Sequence, residues 1–209
     1  MNGPLKKIVF CILIAFALWT LMFSPWIAHL FNFWVGMTVA ALVLTTLVCC
    51  FARDTWRLVR LNVSDVLLGV SIAVVLWCVF WLGDVVSSWM LPFAREQVSS
   101  IYGLKMGESP WVVSALLLFV IGPAEELFWR GYVQRKLSAR WNPNCGFLVA
   151  TLLYTLVHIT SFNFMLIMSA LVCGLAWGGL FRLIPHRFGA ILLSHALWDA
   201  AVFIWFPIS

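Results

Sequence analysis

Apolar runs broken by short polar segments make up almost the whole chain. The runs lie at about 6–24, 27–51, 66–91, 111–134, 145–160, 163–181 and 188–206. Each approaches or exceeds the roughly 20 residues with which a helix crosses a hydrocarbon core of about 30 Å. The pattern predicts an all-α polytopic bundle of about seven transmembrane helices, forming one integral membrane domain over 1–209. The longest polar connection, about Leu91 to Pro110, contains Arg95, Glu96, Lys105 and Glu108 and is expected to form an interfacial helix or a lid. The first run follows Lys6 and Lys7 as in a signal peptide. It lacks a small-residue cleavage site and leads straight into further spans, so it is expected to stay as an anchor. No internal repeat is present, which removes the sequence support for a transporter built from inverted repeats.

Composition narrows the class further. Of 209 residues, 64% are hydrophobic and 10% charged, against about a quarter charged in soluble domains. This leaves no polar stretch for a separate soluble domain. The net charge of +5 comes from small basic groups between the runs rather than from a patch that would hold nucleic acid, so no nucleic-acid partner is expected. With the N-terminus cytoplasmic, Lys6, Lys7, Arg53, Arg57, Arg60, Arg135, Lys136, Arg140, Arg182 and Arg187 all fall on the cytoplasmic side, and only Arg95 and Lys105 outside. That asymmetry follows the positive-inside rule, with the C-terminus outside in a cell (inner) membrane. The six cysteines form neither CxxC nor a zinc-like spacing and are expected to be buried small hydrophobes.

The ionisable residues inside the runs are the exceptions. A charge at mid-bilayer costs at least about 2.5–3.5 kcal/mol, so such residues face the bundle interior and are paired or functional. The stretch GPAEELFWRG, Gly122 to Gly131, contains Glu125, Glu126 and Arg130. Residues four apart share a helix face, so Glu126 is expected to pair with Arg130. Glu125, turned about 100° away, needs another partner. The candidates are His158 in YTLVHIT and His195 and Asp199 in SHALWDA. His195 and Asp199 are themselves four apart, so the carboxylate is expected to orient the imidazole. Together these residues make a candidate acid/base centre. Pro123 cannot donate to the helix ladder and is expected to bend the helix beside the glutamates. Asp84, near the outer end of the third run, is expected at the interface, and His29 and His186 fall near loops without an assigned role. At about 1.5 Å per residue, Glu125 and His195 lie roughly 12–16 Å from the cytoplasmic ends, whereas His158 lies nearer 20 Å.

These residues resemble the motifs of the CAAX protease and bacteriocin-processing family (CPBP, also called ABI) of intramembrane endopeptidases. PAEELFWRG is similar to its E-E-x-x-x-R motif, YTLVH to F-x-x-x-H, and HALWD to H-x-x-x-N/D, in that order over a core of about 111–206. The resemblance implies a glutamate-dependent protease acting on a membrane-anchored protein or peptide in the lipid bilayer, with no cofactor and no metal. It implies that Glu125 activates water with help from His158, that His195 and Asp199 polarise the scissile carbonyl, and that Glu126 and Arg130 support them. Tyr154 stands where the second motif has Phe, and Asp199 where the prenyl-peptidase branch has Asn. Because an ionised Asp cannot donate to an oxyanion, Asp199 is expected to orient His195 as the donor.

Two other readings use the same residues. Glu, His and Asp are competent zinc or iron ligands, but HExxH is absent and Arg130 would oppose a cation. A non-catalytic immunity, chaperone or transport protein would retain the polar cluster for binding alone.

Overall fold

The computed structural model describes residues 3–208, and among them every regular element is helical. In chain order these are α1 (Gly3–Phe23), α2 (Phe33–Phe51), α3 (Val63–Met90), α4 (Ala94–Gly103), α5 (Pro110–Arg140), α6 (Pro143–Leu156), α7 (Phe164–Leu183) and α8 (Phe188–Ala200), the last continued by a π-helical turn Ala201–Trp205. All except α4 belong to segments long and apolar enough to cross a membrane, giving seven spans. The fold is thus the expected all-α polytopic bundle.

Asparagines start four of the helices. The side chains of Asn32, Asn62, Asn142 and Asn163 accept from the backbone N–H groups of Val35, Asp65, Cys145 and Leu166 at 2.9–3.0 Å. Each satisfies one of the N–H groups that the first turn leaves free, a strong requirement where little water is at hand. Asp65 completes a capping box by accepting from the Asn62 N–H at 3.1 Å.

The α5 span is not uniform. Two π-helical stretches, Leu117–Ile121 and Leu127–Gln134, flank the α-helical segment Gly122–Glu126. Pro123 has no N–H to offer the preceding turn. The ladder slips to the wider π spacing just before it, so the glutamates occupy a locally rewound segment. The α5 and α8 spans are the most buried and α3 the least. Exposed apolar residues such as Leu13, Val74, Val75, Phe119 and Leu152 cover the outside.

The cysteines depart from expectation. Cys11 and Cys173 are buried, Cys49 is intermediate, and Cys50, Cys78 and Cys145 are exposed. A thiol is apolar enough to sit on an outward-facing helical surface, so residence in an apolar run does not dictate burial.

The turns sort by charge. Arg135 bonds Asp54 at 2.7 Å, Arg187 pairs with Asp65 at 2.9 Å, and the Lys7 ammonium lies 5.5 Å from the centre of the Phe51 ring. These contacts place the start of α1 and the α2–α3, α5–α6 and α7–α8 connections at one end of the bundle. The Arg135 guanidinium also holds the Asp54 carboxyl down at about 2. At the opposite end α4 lies across the bundle as a cover. Gln97 meets Asn163 and Met165, the Tyr102 hydroxyl donates to the Val202 carbonyl and accepts from the Ile208 N–H, and the Lys105 ammonium donates to the Phe203 carbonyl at 2.6 Å. The connection between Leu91 and Pro110, expected as an interfacial helix or a lid, thus contains a helix. Burial lowers the Lys105 pKa and raises that of Tyr102.

Candidate active site

The sequence-predicted polar residues converge at the heart of the bundle. Glu125, Glu126, Arg130, His158, His195 and Asp199 are all buried. They arrive from α5, the end of α6 and α8. The α5 and α8 backbones approach closely because residue 122 is glycine, where a Cβ would stand 2.9 Å from the Cα of Ala196.

Glu126 is the hub of the arrangement. Its Oε1 lies 3.0 Å from Arg130 Nη1 and 2.8 Å from His195 Nδ1. The N–H groups of Nη1 miss hydrogen-bonding geometry, so the arginine contact is an ion pair, while Nη2 donates to the Cys173 carbonyl at 3.3 Å. Glu126 Oε2 has no partner among the described residues. The expected Glu126–Arg130 pair is present, and the same carboxylate also fixes the third-motif histidine. His195 reaches Asp199 through its other nitrogen, with Nε2 3.4 Å from Oδ2. The orienting carboxylate at hydrogen-bonding distance is therefore Glu126, and Asp199 stands at longer range beside the open side of the ring. Trp177 stacks on the imidazole at a centroid distance of 3.8 Å and an interplanar angle of 18°, so the ring cannot tilt.

Glu125 turns away from that pair, as helix geometry requires, and lines a cavity. Its Oε2 accepts the Tyr154 hydroxyl at 3.2 Å, and the Arg130 guanidinium lies over the Tyr154 ring, 4.6 Å from its centre. The partner that Glu125 needs within the protein is thus the hydroxyl that departs from the family motif, rather than one of the histidines.

His158 sits just beyond α6, in the turn that follows Leu156. Its Nε2 accepts the Trp19 indole N–H at 3.0 Å, which leaves Nδ1 protonated to donate to the Tyr154 carbonyl at 2.9 Å. The apparent depth mismatch is resolved through Tyr154, whose hydroxyl reaches down to Glu125 while its carbonyl holds His158 one turn above. Trp19 and Trp177 were not legible as site residues. Each sits in an apolar run, where tryptophan is commonplace, and no spacing ties it to a motif on another helix.

Glu125, His158, His195, Asp199, Tyr154 and Trp19 line one cavity of about 520 Å³, whose remaining walls are largely apolar, a size typical of ligand sites. Every span contributes from the half that lies away from the basic turns, and α4 contributes Val98, Ile101 and Tyr102 to the wall, with Leu104 just after it. Among the described residues, no group of three or more His, Cys, Asp or Glu side chains is placed to hold a metal ion. The arrangement offers a carboxylate facing the cavity, the His158 ring one turn beyond Tyr154 on the same cavity wall, and the His195 imidazole fixed on one side by a buried carboxylate with its other nitrogen beside Asp199.

Comparison with known families gives the same direction. Residues 107–201 match the family described as Rce1-like, type II CAAX prenyl endopeptidase Rce1-like. The matched segment contains all three motifs, and the resemblance read from them is borne out. Neither the curated proteins nor the solved structures yield a match.

Proposed function

We propose, from the match of residues 107–201 to the Rce1-like endopeptidase family, that the chain hydrolyses a peptide bond of a membrane-associated protein or peptide, using water activated at Glu125. The observation that carries this reading is a buried carboxylate on the wall of a largely apolar cavity, whose lining also includes His195 from α8 and His158 from the turn after α6. Glu125 takes a proton from water as the water oxygen attacks the scissile carbonyl carbon. The carbonyl oxygen gains charge at the His195 Nε2–Asp199 side, where a protonated Nε2 donates to it. The C–N bond then breaks, and Glu125 returns the proton to the leaving amine. Glu126 holds His195 through Nδ1, which fixes the direction of Nε2. His158 joins in binding water when its Nε2 exchanges the Trp19 indole for the water molecule.

The site opens in the half of the bundle away from the basic turns. With the basic end cytoplasmic, cleavage takes place near the outer leaflet. Arg130 beside the carboxylates disfavours the metal-dependent alternative, because a guanidinium 3.0 Å from Glu126 repels a bound cation.

The test is to compare membrane peptides in cells producing the native protein and Glu125→Gln, which retains the size of the side chain but cannot act as a base. A membrane-anchored precursor should accumulate uncleaved in the variant. Identical membrane peptides in both strains, with the variant folded and present at native levels, would sink the proposal.

A further inference from the structure

Among the cavity-lining residues, Asp84 has no part in the chemistry above. It lies on α3, four residues beyond Phe80, whose ring meets Trp198 at a centroid distance of 4.5 Å. Four helical residues advance about 6 Å. Asp84 therefore sits about that far above the level of Trp198 and its neighbour Asp199, towards α4. There it stands close enough to Tyr102 for its charge to add to the upward shift that burial gives the phenol. Its backbone carbonyl accepts the Ser87 hydroxyl at 3.2 Å. Its carboxylate forms none of the hydrogen bonds or salt bridges found among the described residues.

The surrounding charge is one-sided. The titratable side chains on the cavity wall include the carboxylates Asp84, Glu125 and Asp199 but no lysine or arginine. Lys105, just after α4, is committed to the Phe203 carbonyl and lies 4.8 Å from the centre of the Tyr102 ring. An apolar cavity with one unpaired carboxylate on its wall complements an apolar chain bearing a single positive charge, and it rejects an acidic one by like-charge repulsion.

We infer that Asp84 is a specificity residue, selecting a substrate whose apolar segment carries a lysine or arginine beside the cleaved bond. In an extended chain, at about 3.3 Å per residue, the 6 Å offset places that cation roughly two residues from the scissile bond. The assignment rests on the protease reading for the identity of the ligand as a substrate, but the charge selection is measurable without cleavage.

The experiment uses the full chain with Glu125→Gln in nanodiscs and three short apolar peptides with blocked ends, identical except for one position holding lysine, norleucine or glutamate. Binding is followed by thermophoresis. The lysine peptide should bind about 3- to 5-fold more tightly than the norleucine peptide, as expected for one partly solvated ion pair, and the glutamate peptide most weakly. Adding Asp84→Asn should remove the difference between lysine and norleucine. Equal binding of the three peptides, a lysine preference that survives Asp84→Asn, or no binding of any peptide overturns the assignment. A lysine preference together with failure of the native chain to cleave the bound peptide, or any membrane precursor, would instead count against the hydrolytic reading.

Discussion

Glu126 and His195 are joined at 2.8 Å across the α5–α8 contact, and the same carboxylate oxygen lies 3.0 Å from Arg130. One buried side chain thus balances a guanidinium and aims an imidazole. The two neighbouring glutamates should consequently fail in different ways. Glu126→Gln leaves Arg130 without its counter-charge in the interior, and stability should fall by about 3–5 kcal/mol, less if water enters. The His195 ring should also lose its fixed orientation. Glu125→Gln disturbs only the Tyr154 hydrogen bond and should unfold near the native temperature in detergent while losing the proposed activity. The idea fails if the thermal order of the two variants is reversed.

Trp19 should act through His158. Trp19→Phe retains an aromatic ring in the site but removes the N–H that His158 Nε2 accepts. The measurement is histidine ¹⁵N NMR on the full chain in micelles. Native His158 should show a protonated Nδ1 and a hydrogen-bonded Nε2, and the variant should show an Nε2 signal displaced towards that of a free acceptor. An unchanged Nε2 signal would mean that the indole does not set the state of the ring.

Tyr154→Phe brings the second motif into line with the family pattern that it resembles. The substitution removes the donor to Glu125 Oε2, a hydrogen bond to a carboxylate worth roughly 1.5–3 kcal/mol. Since F-x-x-x-H supplies no hydroxyl, the proposed hydrolysis should continue, with a change of about tenfold or less in kcat. Loss comparable to that of Glu125→Gln would make the Tyr154 hydroxyl part of the reaction itself.

Gly122→Ala tests the close approach of α5 and α8. The new Cβ would lie 2.9 Å from the Ala196 Cα and 3.2 Å from its Cβ, so α8 must move. Overpacking of this kind costs about 1–3 kcal/mol, and the shift should weaken the Glu126–His195 contact next to it. Thermal unfolding should report the loss, whereas Gly83→Ala, with nothing within 4 Å of its Cβ, should leave stability unchanged.

Topology follows from the ring of basic turns. Reporter fusions after Arg60, Lys105, Arg140 and Arg187 should read in, out, in, in. A cytoplasmic signal at Lys105 would place the cavity on the opposite side of the membrane and reverse the proposed sidedness.

The sequence by itself determined the seven spans, the long polar connection between α3 and α5, and the identity of the buried ionisable residues. These are consequences of local chemistry. A long apolar run has few ways to satisfy its backbone in lipid, an asparagine before the run satisfies the first free N–H groups, and a charge within it must face inward. The phase that separates Glu125 from Glu126 was equally legible, because the two residues share one helix and its rotation per residue is fixed.

Only the tertiary structure decided which residues meet across helices. The pairing of Glu126 with His195, the Tyr154 hydroxyl on Glu125, the Trp19 indole on His158 and the position of Asp84 on the cavity wall all join spans far apart in sequence. Each depends on the relative rotation and tilt of packed helices. Side-chain packing over the whole interface sets those, and the periodicity of a single span does not encode them.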